Sequence, residues 1–285
     1  MSQHSDMELH LHHLSEMRNI LNAMKNLAFM ESRKLSRLLQ SQTQMVSDLQ
    51  RVAADFLSFY PYHESVNEAR HDIYLLIGSE RGFCGNFNAK LLQMFDMRYP
   101  LTNEQSYAII VIGDKLRKYL KTDPRVASFI AGACFEEEIE SVLNATVSAV
   151  NKLQQQYGYI SLTAVYHAEE TDQITSQSVL PPFQMAIKTT NFTCAPLLNL
   201  PAADFFTDMS EQYLLAALHE IAYNSLMIEN NWRAQHLDNA VNRLDKNTEI
   251  LKQKSRMLRQ EAITEEIEVI MLGAENMLQA SNKQP

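Results

Sequence analysis

The chain has 285 residues, enough for one large domain or two ordinary ones, and its 46% apolar content is sufficient for a real core. A net charge of −9 and a pI near 5.5 argue against a nucleic-acid binder, which needs a basic surface. Three widely spaced cysteines without a CxxC read as reduced thiols, and no apolar run approaches the ~20 residues of a membrane-spanning helix.

Glycine and proline divide the chain. Residues 1–60 and 202–272 contain neither, and six of the seven glycines lie between positions 61 and 200. The N-terminal stretch MSQHSDMELHLHH lacks the basic-then-apolar order of a secretory signal, and its Asp6 and Glu8 are unlike a transit peptide. Residues 1–60 are expected to form one long helix. Steps of three and four from Leu14 pass through Met17, Leu21, Met24, Ala28, Glu31, Leu35, Leu38, Gln42, Met45, Leu49, Val52, Phe56 and Phe59. Twelve of these fourteen positions are apolar, a 3.5-residue repeat that predicts a coiled coil.

The middle, 61–203, alternates. Ile73–Ile77 reads as a strand, then comes the turn GSERGFCGN, then a helix at about 87–97. Tyr107–Ile112 predicts a second strand and 114–121 a helix. Val126–Ala131 predicts a third strand, 136–156 a helix, and Tyr159–Tyr166 a fourth strand. This βαβα order predicts a small α/β domain with a mostly parallel, Rossmann-like sheet. The polar, proline-containing stretch 168–203 reads as a connection. Residues 204–285 predict a second long helix, with a seam at Leu237, Val241, Leu244, Thr248, Leu251, Ser255, Leu258 and Ala262. The stripe then slips to Ile263, Ile267, Ile270, Ala274 and Met277. The expected architecture is thus an α/β domain inserted between two long helices that pair as an antiparallel coiled coil. Equal helical rises place Leu14 opposite residues 255–260, leaving about 20 residues overhanging with their apolar stripe bare.

The glycine-rich turn is the first candidate for chemistry. Gly78, Gly82 and Gly85 are spaced GxxxGxxG. A P-loop requires GxxxxGK[ST], and a dinucleotide fingerprint requires GxGxxG. Neither is present, so a structural turn is favoured, with a nucleotide site at Gly78–Gly85 as the alternative. Cys84 would need a histidine base to act as a nucleophile, and nothing in the sequence places His71 beside it. His10, His12 and His13, with His4 upstream, suit a weak metal site, but a frayed polar helix end is the plainer reading. Basic residues Arg243, Lys246, Lys252, Lys254, Arg256 and Arg259, with Arg33, Lys34 and Arg37, form either a solvated face or a docking surface for an acidic protein.

Three stretches resemble one family. Ala23-Met24-Lys25-Asn26-Leu27-Ala28 followed by Arg33-Lys34-Leu35 is similar to its N-terminal signature. Ser79-Glu80-Arg81-Gly82-Phe83-Cys84-Gly85-Asn86-Phe87-Asn88 is similar to its S-(D/E)-R-G-(L/F)-C-G-x-(L/F)-N motif. Arg259-Gln260-Glu261-Ala262-Ile263-Thr264-Glu265-Glu266-Ile267-Glu268 opens its C-terminal signature, which runs to Gly273-Ala274. In this order, over the whole chain, they resemble the gamma subunit, or central stalk, of F-type ATP synthases. Glu31 and Gln42 in the first seam, and Trp232 and His236 in the last helix, depart from the family pattern and point to a divergent branch, such as an alternative ATPase of a bacterium.

The resemblance implies a rotor shaft with no cofactor and no catalytic group of its own. It implies that the shaft couples an ion-driven membrane ring to a hexamer of alpha and beta subunits, with an epsilon subunit alongside. It further implies a peripheral position on the cytoplasmic side of a bacterial plasma membrane. Contacts with the hexamer would fall on Arg256, Arg259, Gln260, Ile263, Thr264, Ile267 and Ile270, and lower down on Met24, Lys25, Arg33 and Lys34. Gly78, Arg81, Gly82, Cys84, Gly85 and Asn88 would build the turn. A static coiled-coil scaffold is the remaining alternative.

Overall fold

The computed structural model describes residues 2–61, 71–100, 107–168, 174–183 and 194–281, with side chains from 6 to 273 within those ranges. Its helices are α1 (Ser2–Phe59), α2 (Phe87–Arg98), α3 (Asp114–Leu120), α4 (Ile139–Tyr157) and α5 (Ala202–Ser281). Its strands are β1 (His71–Ile77), β2 (Tyr107–Ile112), β3 (Val126–Ile130), β4 (Ile160–His167) and β5 (Ile174–Leu180). The chain forms two compact units, residues 27–234 and residues 1–26 with 235–285.

In the larger unit the strands run in the order β3-β2-β1-β4-β5. β1 pairs parallel with β2 and β4, β2 pairs parallel with β3, and β5 closes the far edge antiparallel to β4. The central strands read as continuous apolar runs because both faces are covered. Alternate residues go to opposite sides. Ile73, Leu75 and Ile77 of β1 join Ala108, Ile110 and Ile112 of β2 in a core completed by α4, by Leu35 and Leu39 of α1, and by Leu218–Ile228 of α5. Leu76, Ile109 and Val111 face the other way, against Leu91 and Phe95 of α2 and Leu116 and Leu120 of α3.

β5 is absent from the sequence-based elements, which treat 168–203 as connection. Its core, Thr175-Ser176-Gln177-Ser178, carries no apolar alternation, and only Val179 of the strand is buried. An edge strand needs only one neighbour, and Tyr166 Oη donates to Gln177 Oε1 at 2.8 Å across that pairing. Residues 169–173 and 184–193 of the same stretch lie outside the described residues.

Within this unit the seam of α1 differs in phase from the sequence-based one. Ala28, Leu35 and Phe56 are buried as expected, but the alternate positions are Ser32, Leu39, Val46 and Ala53, all buried. Met45 and Val52 are 44% exposed. The correct stepping is four then three, and neighbouring apolar pairs (Leu38-Leu39, Met45-Val46, Val52-Ala53) made the two phases indistinguishable by hydrophobicity. Small residues occupy the close approaches, as interdigitated helices require.

In the smaller unit Arg18 Nε donates to Asp245 at 2.6 Å and Lys25 Nζ to Asp238 at 2.9 Å. Seven residues forward on α1 match seven back on α5, so the antiparallel pairing advances by one heptad. Both pairs are half-exposed and screened by solvent, so they specify register more than they add stability. The expected α5 seam is present as far as Leu258, where Leu237, Val241 and Ser255 are buried and Leu244, Thr248, Leu251 and Leu258 half-buried, but its last member, Ala262, is exposed. The register sets Leu14 level with Glu249 rather than with 255–260. The expected offset was counted too long: in the larger unit Phe56 lies beside Phe205, with ring centroids 5.0 Å apart, and equal rises from that point bring Leu14 close to Glu249.

Leu39→Ala is expected to lower unfolding stability by about 2–5 kcal/mol, the usual cost of emptying a buried leucine site. Met45→Ala is expected to stay within about 0.5 kcal/mol of the parent. Urea denaturation of both variants checks the phase of the seam.

Candidate functional sites: the glycine-rich turn, its clamp on α5 and the exposed helix surfaces

The turn leaves β1 at a point of close approach. A Cβ on Gly78 would lie 2.4 Å from Leu116 Cβ and 2.7 Å from Asn88 Oδ1. Gly85 has φ of 57°, a left-handed conformation suited to glycine, and Phe83 adopts φ of 65° beside it. The Asn88 side chain closes the loop: its Oδ1 accepts from Ser79 N at 3.0 Å and its Nδ2 donates to Ser79 Oγ at 2.8 Å. Glu80 ties the loop to the next two strand exits, accepting from Asp114 N at 2.9 Å and Gly132 N at 2.7 Å. Arg81 lies over the Phe135 ring at 4.6 Å. Burial pushes the Cys84 thiol up to about 12, so it is not poised as a nucleophile. His71 begins β1, stacked on Tyr157 at 3.9 Å, far from the loop that follows the strand.

The loop is held from α5. Six consecutive residues, Ser225 to Asn230, are buried, which a helix achieves only when covered on all sides. Glu229 and Arg233 are 4% and 6% exposed and form an ion pair, the guanidinium donating from Nη2 to the carboxylate. Arg233 also donates through Nε to Gly82 O at 3.2 Å and through Nη1 to Asn230 Oδ1 at 2.6 Å. Burial pushes the Glu229 carboxyl up to about 7, while Arg233 and backbone hydrogen bonds from Arg81 and Glu80 pull it down. The loop amides that a phosphate would need already serve a carboxylate of the chain itself. The glycine spacing therefore builds a socket for α5.

The next residues reach other elements. Ser32 Oγ of α1 donates to Asn231 Oδ1 at 2.5 Å, Lys90 of α2 lies 4.5 Å over the Trp232 ring, and Phe87 meets that ring edge-on at 5.9 Å. Sequence reasoning marked Trp232 only as unusual and missed Glu229 and Arg233. Nothing in the sequence signalled their burial: in the run SLMIENNWR, Ser225, Glu229 and Arg233 fall four residues apart with Asn230 beside them and read as an ordinary polar face.

The candidate contact residues have different surroundings. In the larger unit Arg33 is exposed and stacks on Phe29 at 4.5 Å. Lys34 is held by the chain's own Glu136 and Glu137, at 2.9 and 2.5 Å, and these hydrogen bonds keep its ammonium above the usual lysine range. In the smaller unit Met24 is half-buried and Lys25 is paired with Asp238. Arg256 is exposed, and every described side chain from Arg259 to Leu272 is exposed, including Gln260, Thr264, Ile263 (49%), Ile267 (51%) and Ile270 (70%). Thr264 Oγ1 donates to Gln260 O within the helix at 2.9 Å. The side chains of Ala274 and Met277 lie outside the described residues. His12 and His13 both lean on Glu16, at 3.4 and 3.3 Å, and among the described residues no group of three or more candidate ligands could hold a metal ion.

A family model described as ATP synthase matches residues 3–277, almost the whole chain. The chain belongs to the ATP synthase family. Among its relatives, the ATP synthase gamma chain of Clostridium beijerinckii is 26% identical over 221 residues, covering 73% of each chain. That of Clostridium botulinum is 24% identical over 270 residues, covering 92% of this chain and 94% of the relative. The fold matches the rotor of the Euglena gracilis mitochondrial ATP synthase, with TM-score 0.64 at 13% identity, covering 92% of this chain and 99% of that one. It also matches the central stalk/c-ring structure of the Tetrahymena thermophila enzyme, with TM-score 0.57 at 16% identity, covering 78% and 99%. The two long helices around a mixed sheet are thus the architecture of an ATP synthase gamma chain, the central-stalk subunit of the rotor.

Two outcomes are expected at the turn. Gly78→Ala forces backbone or Leu116 to shift and lowers the melting temperature, whereas Gly82→Ala, whose Cβ would meet nothing nearer than Lys115 Cε at 3.9 Å, costs far less. Glu229 titrates near 7 in the folded protein and near 4.5 when unfolded. Its contribution is therefore fully present below pH 4.5 and lost as pH rises through 7, about 3 kcal/mol for a shift of this size. Thermal denaturation from pH 4 to 8 is expected to show that decline in the parent and its absence in Glu229→Gln.

Proposed function

We propose that this chain is the rotating shaft of a bacterial F-type ATP synthase and carries no catalytic group itself. Its α/β domain and adjoining helices would engage the membrane ring and an epsilon subunit. The free end of α5 would turn inside the alpha–beta hexamer and set its catalytic sites to different states. The observation that carries this reading is the run from Arg259 to Leu272, in which every side chain is exposed even though it bears Ile263, Ile267, Val269, Ile270, Met271 and Leu272. Such a surface calls for a surrounding sleeve.

Arg256, Arg259 and Gln260 suit acidic or polar loops of that sleeve. Thr264 and the isoleucines at 263, 267 and 270 suit its apolar lining. Met24, Lys25, Arg33 and Lys34 would meet the lower rim, where an acidic partner loop must compete with Glu136 and Glu137 for Lys34. No described helix is long and apolar enough to cross a membrane. The family resemblance supports a peripheral association on the cytoplasmic face of the plasma membrane.

Co-expression with alpha, beta and epsilon subunits is expected to yield one complex that contains this chain and shows ATP-driven rotation. Failure of the full-length chain to enter the complex overturns the shaft reading. Deleting 260–285 is expected to weaken assembly and reduce ATP-driven ion pumping. Unchanged rotation and pumping after that deletion would overturn the sleeve assignment.

A further inference from the structure

We propose that residues 229–233 of α5 form a collar that locks the helix azimuthally to the α/β domain, so that torque passes between them without slip. This rests on the shaft reading above.

Consecutive helical residues point about 100° apart, so five of them cover the full circumference. Here the side chains engage a different neighbour in nearly every direction. Glu229 takes the loop amides of Arg81 and Glu80, and Arg233, one turn later, grips the loop carbonyl of Gly82. Asn231 receives the hydroxyl of Ser32 on α1, and Trp232 sits against Phe87 and Lys90 of α2. Asn230 braces the guanidinium of Arg233 and anchors itself to Leu226 O at 3.0 Å.

Lower on α5 the contacts with the sheet side are apolar, through Leu218, Ile221, Leu226, Met227 and Ile228. Apolar packing is non-directional and resists rotation of a helix about its own axis only through shape. Hydrogen bonds from a planar guanidinium are directional. Two loop contacts set one helical turn apart resist sliding along the axis as well as turning about it. The buried charges fit this role better than a stabilising one, since a buried ion pair gains little over an apolar replacement.

The test uses the assembled complex, with the hexamer immobilised and a bead tethered to the α/β domain through an introduced Lys118→Cys, in a Cys134→Ser/Cys194→Ser background that leaves only the buried Cys84. Torsional stiffness is read from the bead's angular fluctuations during catalytic pauses. The double variant Glu229→Gln/Arg233→Met keeps side-chain volume and removes the charges. It is expected to assemble, to retain ATP hydrolysis, and to lose stiffness as the directional bonds of Arg233 to Gly82, Asn230 and residue 229 disappear. A comparator, Leu91→Ala, empties the core on the opposite face of the sheet. It is expected to lower the melting temperature at least as much and leave stiffness unchanged. Parental stiffness in the double variant, or an equal loss in Leu91→Ala, overturns the collar. A parental chain that assembles with no partner overturns the shaft reading instead, so the two failures are distinguishable.

Discussion

The larger unit is organised around one buried carboxylate. Glu229 cannot be left alone among Leu226, Met227 and Ile228, because an unpaired charge there would be far too costly. It is accommodated by Arg233 on its own helix and by amides of the loop after β1. That requirement fixes the loop, and the loop in turn fixes the strand exits. Glu80 is tied to the amides that follow β2 and β3, and Asn88 is tied to Ser79. The glycines let the backbone come close enough for this arrangement: Gly78 against Leu116, and Gly85 through its left-handed φ. The glycine-rich turn is therefore a socket.

The same geometry explains why a strand–glycine turn–helix, the setting of many nucleotide sites, carries none of that chemistry here. In nucleotide-binding folds the amides after the first strand face an open crevice. Here α5 fills that place, and its carboxylate stands where a phosphate would. The neighbouring thiol of Cys84 is buried with it and stays protonated. On the reading proposed above, this chain supplies shape and charge to its partners.

Much of the fold was legible in the sequence because it was written in long periods. Tyr107–Ile112 is apolar throughout because both sides of the sheet are covered, and its bounds were readable to the residue. The two breaker-free arms were readable as helices for the same reason. What escaped reading was relational. The phase of α1 hung on pairs such as Leu38-Leu39, either of which could face inward, and only packing against α5 selects Leu39. β5 escaped because pairing with β4, rather than hydrophobicity, makes it a strand. Glu229 and Arg233 escaped because sequence pattern treats charges as surface, whereas the amides that welcome Glu229 lie about 150 residues away. The exposed stripe at Ile263–Leu272, in contrast, was visible in the sequence, since it exceeds what the first helix is long enough to cover.

That stripe links the solubility of the chain to its assembly. Ile263, Ile267, Val269, Ile270, Met271 and Leu272 stand on one continuous helix end with no cover inside their own unit. Copies made in excess of the subunits proposed to enclose them would present that adhesive end to one another and to chaperones and proteases. The balanced supply of the subunits thus becomes a condition of the chain's survival as well as of its function.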